Sequence, residues 1–394
     1  MTVFQKFDLL LPEKNLETWS VIACDQFTSQ PEYWQKVKGL TQGVPSSAHC
    51  IFPECDLSDE NTGRITQIGE TMRQYLREGI FRKYPDCFVY VERTQRDGSI
   101  RKGVVGALDL EAYDYSPTSR TPVRASEKTV PERIPPRMAI REGASLDLSH
   151  VLVLCDDEKK ELIESLAAMR DSLAKLYDFD LMLEGGHIAG WLADGPAAEM
   201  FETKLAEYVS RRQEDPQAVL FAVGDGNHSL AAAKACYDAC PTPLNRYALA
   251  ELCNIHDDAL QFEPIHRIVS CSDRKELIEG LKKLAGSRNQ DVILVEDGRE
   301  ETIPVDCGDK LAVSVIQAYL NRFFTEHEGV VDYIHGEEAV RSLSHDGVIG
   351  LILPPVEKDG FFAAMKQEVF PRKTFSMGHA EEKRYYLEAR QIRE

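Results

Sequence analysis

Ala218-Val219-Leu220-Phe221-Ala222-Val223 leads into Gly224-Asp225-Gly226-Asn227-His228-Ser229, and then into Leu230-Ala231-Ala232-Ala233-Lys234-Ala235. The apolar run has the length of a buried strand. The polar turn after it holds two glycines, and the alanine-rich stretch that follows has the propensity of a helix. A strand, a glycine-bearing turn and a helix start together aim backbone N–H groups at one point, where the helix dipole favours an anion. The alanines leave the turn uncrowded and let the helix pack closely. Asp225 and His228 put titratable groups on the turn, and Asn227 or Ser229 suits the helix cap. Asp, Asn, His and Ser within five residues exceed what capping alone requires.

Outward from this segment, strand-like and helix-like stretches alternate, which is the pattern of a mixed α/β (α+β) architecture. Ser20 to Cys24 and Val151 to Cys155 read as buried strands. Phe88 to Arg93 and Gly103 to Asp109 read as a hairpin about Asp97-Gly98, a favoured tight-turn dipeptide. Tyr247 to Leu252, Pro264 to Val269 and Gly347 to Leu353 read as further strands. Helical periodicity covers Glu158 to Tyr177, Ala197 to Arg212, Leu311 to Glu326 and a charged terminal stretch, Ala380 to Arg393. These elements divide into an N-terminal α/β region (1–145) with an Arg-rich loop, a central region (146–271) carrying the Asp225 turn, and a C-terminal α/β region (272–394).

The chain has 394 residues, 43% of them hydrophobic and 28% charged, with a formal net charge of −19. No apolar run approaches the roughly 20 residues needed to span a bilayer. Met1 to Asp8 lacks the apolar core of a signal peptide, so the expected compartment is the cytoplasm. The acidic balance and the absence of a basic tract disfavour a nucleic-acid partner. Ten scattered cysteines read as free thiols in a reducing compartment. Cys50-x4-Cys55 and Cys236-x3-Cys240 each lack the second pair that a structural zinc site needs.

Several other segments hold chemistry-bearing residues. Arg124-Ala125-Ser126-Glu127 is followed by Arg133, Arg137 and Arg141. Pro131, Pro135 and Pro136 argue against a continuous helix, so the segment reads as a stiff loop. Guanidinium forks there match phosphate or carboxylate oxygens, unless ion pairs with Glu127, Glu132 and Glu142 consume them. Ala23-Cys24-Asp25-Gln26-Phe27-Thr28 sets a carboxylate and an amide at a strand end, where α/β proteins build sites; nothing marks Cys24 as an activated nucleophile. Asn254-Ile255-His256-Asp257 lies between strands rather than on metal-binding helices, so no metal site is assigned to it. Leu183 to Trp191 lacks the spacing of a dinucleotide or P-loop motif and reads as a tight hairpin. Phe370 to Gly378 supplies Arg372, Lys373, Thr374 and Ser376 in one loop.

Ala23 to Gln26, Arg124 to Arg141, Gly224 to Ala233, Glu263 to Arg267, Tyr333-Ile334-His335-Gly336 and Pro371 to Met377 together resemble the DUF1015 family over nearly the whole chain. The Asp225 turn is also similar, over about a dozen residues, to the phosphate-binding box of ParB/sulfiredoxin-like proteins and free serine kinases. That likeness implies a mixed sheet core flanked by helices with additional subdomains, and a turn that holds nucleotide phosphate. Gly226 and Ala232 match the box, whereas Ser229 stands where the box has arginine. Either Arg124, Arg133, Arg137, Arg372 or Lys373 supplies the missing charge, or the ligand differs.

These readings combine into an expected small-molecule phosphotransferase, acting on a serine- or phosphoserine-like metabolite with ATP or ADP and Mg²⁺, with hydrolysis of a phosphorylated metabolite at the same site as the close variant. Asp25, Glu127 or His228 is the expected general base. Phosphate contacts are expected from Asp225, Gly226, Asn227, Ser229, Arg124, Arg137, Arg372 and Lys373. Gln26, His266, Arg267, His335 and Thr374 complete the expected pocket. The alternative is a non-catalytic regulator that binds a nucleotide or phosphometabolite. No membrane or nucleic-acid partner is expected, and the sequence is silent on oligomeric state.

Overall fold

Six strands carry the Asp225 turn: β1 (Phe81–Thr94), β2 (Ile100–Asp109), β3 (Val123–Ala125), β4 (Leu152–Cys155), β5 (Phe221–Asp225) and β6 (Tyr247–Asn254). A computed structural model describes residues 3–56, 62–148, 150–215 and 217–393; Met1 and Thr2, the head of the stretch weighed as a signal peptide, lie outside them. The spatial order is β3-β5-β4-β6-β2-β1. β5 runs parallel to β3 and antiparallel to β4, and β6 runs parallel to β4 and antiparallel to β2. The sheet is therefore mixed, and the fold is mixed α/β. Short strands extend it at both edges to thirteen strands among the described residues.

This sheet belongs to the first of two units, residues 1–125, 129–260 and 379–394. Alternation along β1 sends its side chains into two cores. Phe88 and Tyr90 join Phe4, Phe201 and Phe221, while Val89 and Val91 join Trp19, Trp34 and Tyr385. β1 and β2 form the expected hairpin, with Arg93 opposite Arg101 and Gly98 in the turn at φ 82°.

The second unit, residues 126–128 and 261–378, has a six-stranded sheet built on Phe262–Cys271. That strand pairs antiparallel with Gly329–His335, Val348–Ile352 and Phe375–Met377. Helices Arg274–Lys282 and Ala312–Phe323 contribute Leu277, Leu281, Ile316 and Leu320 to its core. Among the described residues no helix is long and apolar enough to cross a membrane.

Three sequence readings are corrected. Helix α1 (Ile134–Gly143) occupies the stretch read as a loop. Pro135 and Pro136 lie in its first turn, where a missing N–H costs no intrahelical bond. The helix expected from Glu158 to Tyr177 is confined to Ile163–Met169; Ala174–Asp180 is a strand paired with His187–Ala193. The terminal stretch 380–393 is mostly extended, with strands Tyr385–Tyr386 and Ala389–Gln391. Its charges are not a solvated face: Arg384 and Glu388 are buried and paired with each other, and Arg384 Nη1 lies 2.8 Å from Glu251 Oε2.

Candidate functional site

β5 is fully buried from Phe221 to Val223, and its register shifts before Asp225 pairs with Leu152. The chain then reverses through Gly226, at φ 79°. A Cβ at Gly226 would stand 3.0 Å from Val151 Cα, so both conformation and space demand glycine. Helix α2 (Asn227–Ala239) starts at once and carries no side-chain cap. Asp225 Oδ1 instead accepts the Gly226 N–H at 2.9 Å. Ala231 and Ala232 are buried against Ile134 of α1, which is the close packing that the alanines permit.

Three other segments of the first unit meet this turn and helix start, and a fourth brings Asp25 within the influence of His150 and Lys383. Lys383 Nζ lies 3.4 Å from Asp225 Oδ2. His150 Nε2 and Ser229 Oγ are 3.3 Å apart. Val130 N–H donates to His228 Nε2 at 3.1 Å, so that nitrogen accepts and is not free to act as a base. Asp25 follows strand Val21–Ile22 and accepts from the Gln26 amide at 3.0 Å. Burial alone would raise the Asp25 pKa, but His150, the Gln26 amide, Arg137 and Lys383 together hold it below the usual carboxylate value.

A cavity of about 120 Å³ adjoins these groups. Cys24, Glu54, Arg137, His150, Ser229 and Tyr386 give it a polar side, and Phe52, Met72, Ile140 and Leu249 are among its apolar walls. Glu54 bridges Arg133, at 3.0 Å, and Arg137 on α1. Arg141, the other arginine of α1, pairs with Asp147 at 2.7 Å. The arginines are thus consumed by Glu54 and Asp147 rather than by the glutamates close in sequence. Burial, reinforced by Asp25, pushes the Cys24 thiol up to about 12, which keeps it protonated and poorly nucleophilic.

The structure therefore brings together Asp25, Gln26, Arg137 and Asp225 through Ser229. Arg124 lies in the same unit but is buried in β3, donating to the carbonyls of Thr121 at 2.8 Å and Gln217 at 3.2 Å. The other expected site residues belong to the second unit. Glu127 accepts backbone N–H bonds from Lys373, Thr374 and Phe375 at 3.0, 3.0 and 3.3 Å. Its burial still raises its pKa, against those bonds. Thr374 donates to the Pro371 carbonyl at 2.7 Å. Arg267 and Arg372 both lie over the Tyr333 ring, at 4.6 and 5.2 Å. His266 Nδ1 accepts the Leu353 N–H at 3.1 Å, and His335 stands opposite Ile265 on the neighbouring strand.

Glu54, His150, Lys383 and Tyr386 went unread in the sequence. No motif surrounds them, and Lys383 follows Glu381-Glu382 in a stretch that looks like a solvated helix. A lone buried-strand flank at His150 was the only signal.

The arrangement offers a cation, an uncapped helix start and, at Asp25, a carboxylate held below its usual range, beside a small cavity. That set can hold a phosphate and activate a hydroxyl. A family model described as a protein of unknown function (DUF1015) matches residues 6–393. No curated protein matches the chain. Among solved structures, a free serine kinase variant in complex with ADP aligns with a TM-score of 0.40 and 10% identity, over 76% of this chain and 95% of that one. SbnI with a C-terminal truncation, from Staphylococcus aureus, aligns at 0.38 and 10%, over 70% and 82%. A conserved hypothetical protein from Pyrococcus furiosus aligns at 0.38 and 11%, over 74% and 95%.

Proposed function

The chain belongs to the DUF1015 family, and we propose that its first unit is a phosphate site at which a phosphoryl group passes between a nucleotide and a small hydroxylated metabolite. The observation that carries this reading is the pairing of Lys383 with Asp225 at the uncapped start of α2. Lys383 takes the place of the arginine that the turn lacks. Amides at a helix start together with a nearby ammonium favour a dianionic oxygen cluster.

The donor set also fits a magnesium–nucleotide complex. Asp25 and Asp225 offer hard carboxylate oxygens, and Asn227 Oδ1 is an enclosed acceptor without a hydrogen-bond partner. Magnesium bound there would neutralise phosphate oxygens. Asp25, whose carboxyl is held below its usual range, is the general base of this reading for the acceptor hydroxyl. The cavity of about 120 Å³ has room for a small acceptor such as a serine-like metabolite.

Thermal unfolding with and without ADP and magnesium chloride tests the site. Saturation at 100 times Kd adds about 2.7 kcal/mol of stability, and Lys383→Met and Asp225→Ala are expected to abolish the gain. A coupled assay for nucleotide turnover over a panel of hydroxy amino acids tests the chemistry. Stabilisation without turnover on any acceptor leaves a binding protein, and no stabilisation at all ends the proposal.

A further inference from the structure

Ser229 and His150 form a pair that phosphate binding alone does not require. Ser229 Oγ lies 3.3 Å from His150 Nε2, within the looser range that a nucleophile and its base show before substrate binds. His150 is 4% exposed, and its ring stands edge-on to Tyr386 at 5.1 Å and 76°, so packing holds the imidazole in place. Both side chains line the cavity. Ser229 is also the third residue of α2, directly after the strand and the Gly226 reversal. A hydroxyl presented on a strand-to-helix turn beside a buried imidazole is an arrangement that activates serine. A phosphate on that hydroxyl would sit at the positive end of the helix, where a phosphoserine is stabilised.

We propose that Ser229 is a nucleophile, activated by His150, and that it carries the transferred phosphoryl group as a covalent phosphoserine. The inference rests on the phosphate-site reading for its donor, a nucleoside triphosphate. In the first half-reaction Ser229 Oγ bonds to the terminal phosphorus. The bond from that phosphorus to the bridging oxygen breaks, the nucleoside diphosphate leaves with the electron pair, and the hydroxyl proton goes to His150 Nε2. In the second, the metabolite hydroxyl oxygen bonds to the same phosphorus while its proton passes to Asp25. The bond to Ser229 Oγ breaks, and His150 returns the proton to it. If Ser229 serves only to shape the helix start, no covalent species forms.

The test incubates the full chain with ATP and magnesium chloride, without an acceptor, and maps phosphopeptides by mass spectrometry. A second arm exposes the nucleotide-free protein to a fluorophosphonate probe, whose fluoride leaves when a serine oxygen attacks phosphorus. Phosphoserine and probe adduct are both expected at Ser229, both absent in Ser229→Ala, and both formed at least ten-fold more slowly in His150→Gln. Ser229→Cys guards against a misfolded variant: its new thiol is expected to be alkylated by iodoacetamide faster than that of the His150→Gln, Ser229→Cys double variant. ADP-induced stabilisation is measured on every sample. Stabilisation by ADP with no phosphoserine at Ser229 overturns the covalent step and leaves the phosphate site standing. Loss of both removes the phosphate-site reading and the donor with it.

Discussion

Lys383 Nζ stands 3.4 Å from Asp225 Oδ2, with the two side chains 10% and 18% exposed. This pair ties the C-terminal segment to the turn between β5 and α2. A partly desolvated cation at a helix start has a structural effect as well as a ligand-facing one. Lys383→Met keeps the length and the apolar stem but strands the Asp225 carboxylate. The expected loss is about 1–3 kcal/mol in urea unfolding, with ADP stabilisation abolished. Lys383→Arg is expected to keep most of the stability. A Lys383→Met protein that still gains full stability from ADP would remove the lysine from the phosphate site.

Gly226 answers to two constraints at once, its φ of 79° and the 3.0 Å that would separate a Cβ at this position from Val151 Cα. Left-handed backbone costs a non-glycine residue about 1–2 kcal/mol, and the contact with Val151 adds to it. Gly226→Ala is therefore expected to destabilise by about 2 kcal/mol or more, read from the urea midpoint at unchanged slope. Gly226→Asn relieves only the dihedral and should not restore stability. Full recovery in Gly226→Asn would show that the conformation alone selects glycine.

The strand, turn and helix about Asp225 were legible because every signal lies within a few adjacent residues: an apolar run, a glycine reversal, an alanine helix. The β1–β2 hairpin was legible for the same reason. Where the deciding partner is remote, reading failed. Arg384 and Glu388 look solvated until Glu251 is brought beside them. Pro135 and Pro136 look like helix breakers unless the helix is known to begin at Ile134. His150 is marked locally only by the buried strand that follows it, because its meaning comes from Ser229 on the helix after the neighbouring strand. Local chemistry marks the Asp225 turn, and tertiary pairing alone brings Lys383 and His150 to the proposed site.

His266 supplies a pH signature for the second unit. Burial pushes its imidazole down to about 4, against about 6.5 in an unfolded chain. Between those values the unfolded state binds more protons, so stability rises with pH through the window. The contribution is complete above pH 6.5 and is lost as pH falls toward 4, by at most about 3.4 kcal/mol at 1.36 kcal/mol per unit. His266→Asn, which retains an acceptor for the Leu353 N–H, should flatten the dependence. Thermal midpoints at pH 7, 5.5 and 4 measure it. Equal slopes in the two proteins would show that other groups drive the acid loss.

Glu54 neutralises two arginines, Arg133 at 3.0 Å in the turn before α1 and Arg137 on α1, the second of which lines the cavity. Its side chain is 10% exposed, so Glu54→Gln removes a largely desolvated charge and leaves two guanidiniums four residues apart. Stability is expected to fall by about 1–3 kcal/mol. Anion binding should move the other way, because one unit of positive charge is released beside the helix start. At separations of several ångströms in a well-solvated site that is worth about 0.5–1 kcal/mol, or roughly two- to five-fold in Kd. Titration calorimetry with ADP and with inorganic phosphate, at low and at high salt, separates the effects, since a charge effect shrinks as salt screens it. Weaker ADP binding in Glu54→Gln at both salts would instead make Glu54 a ligand contact and leave Arg137 a scaffold residue.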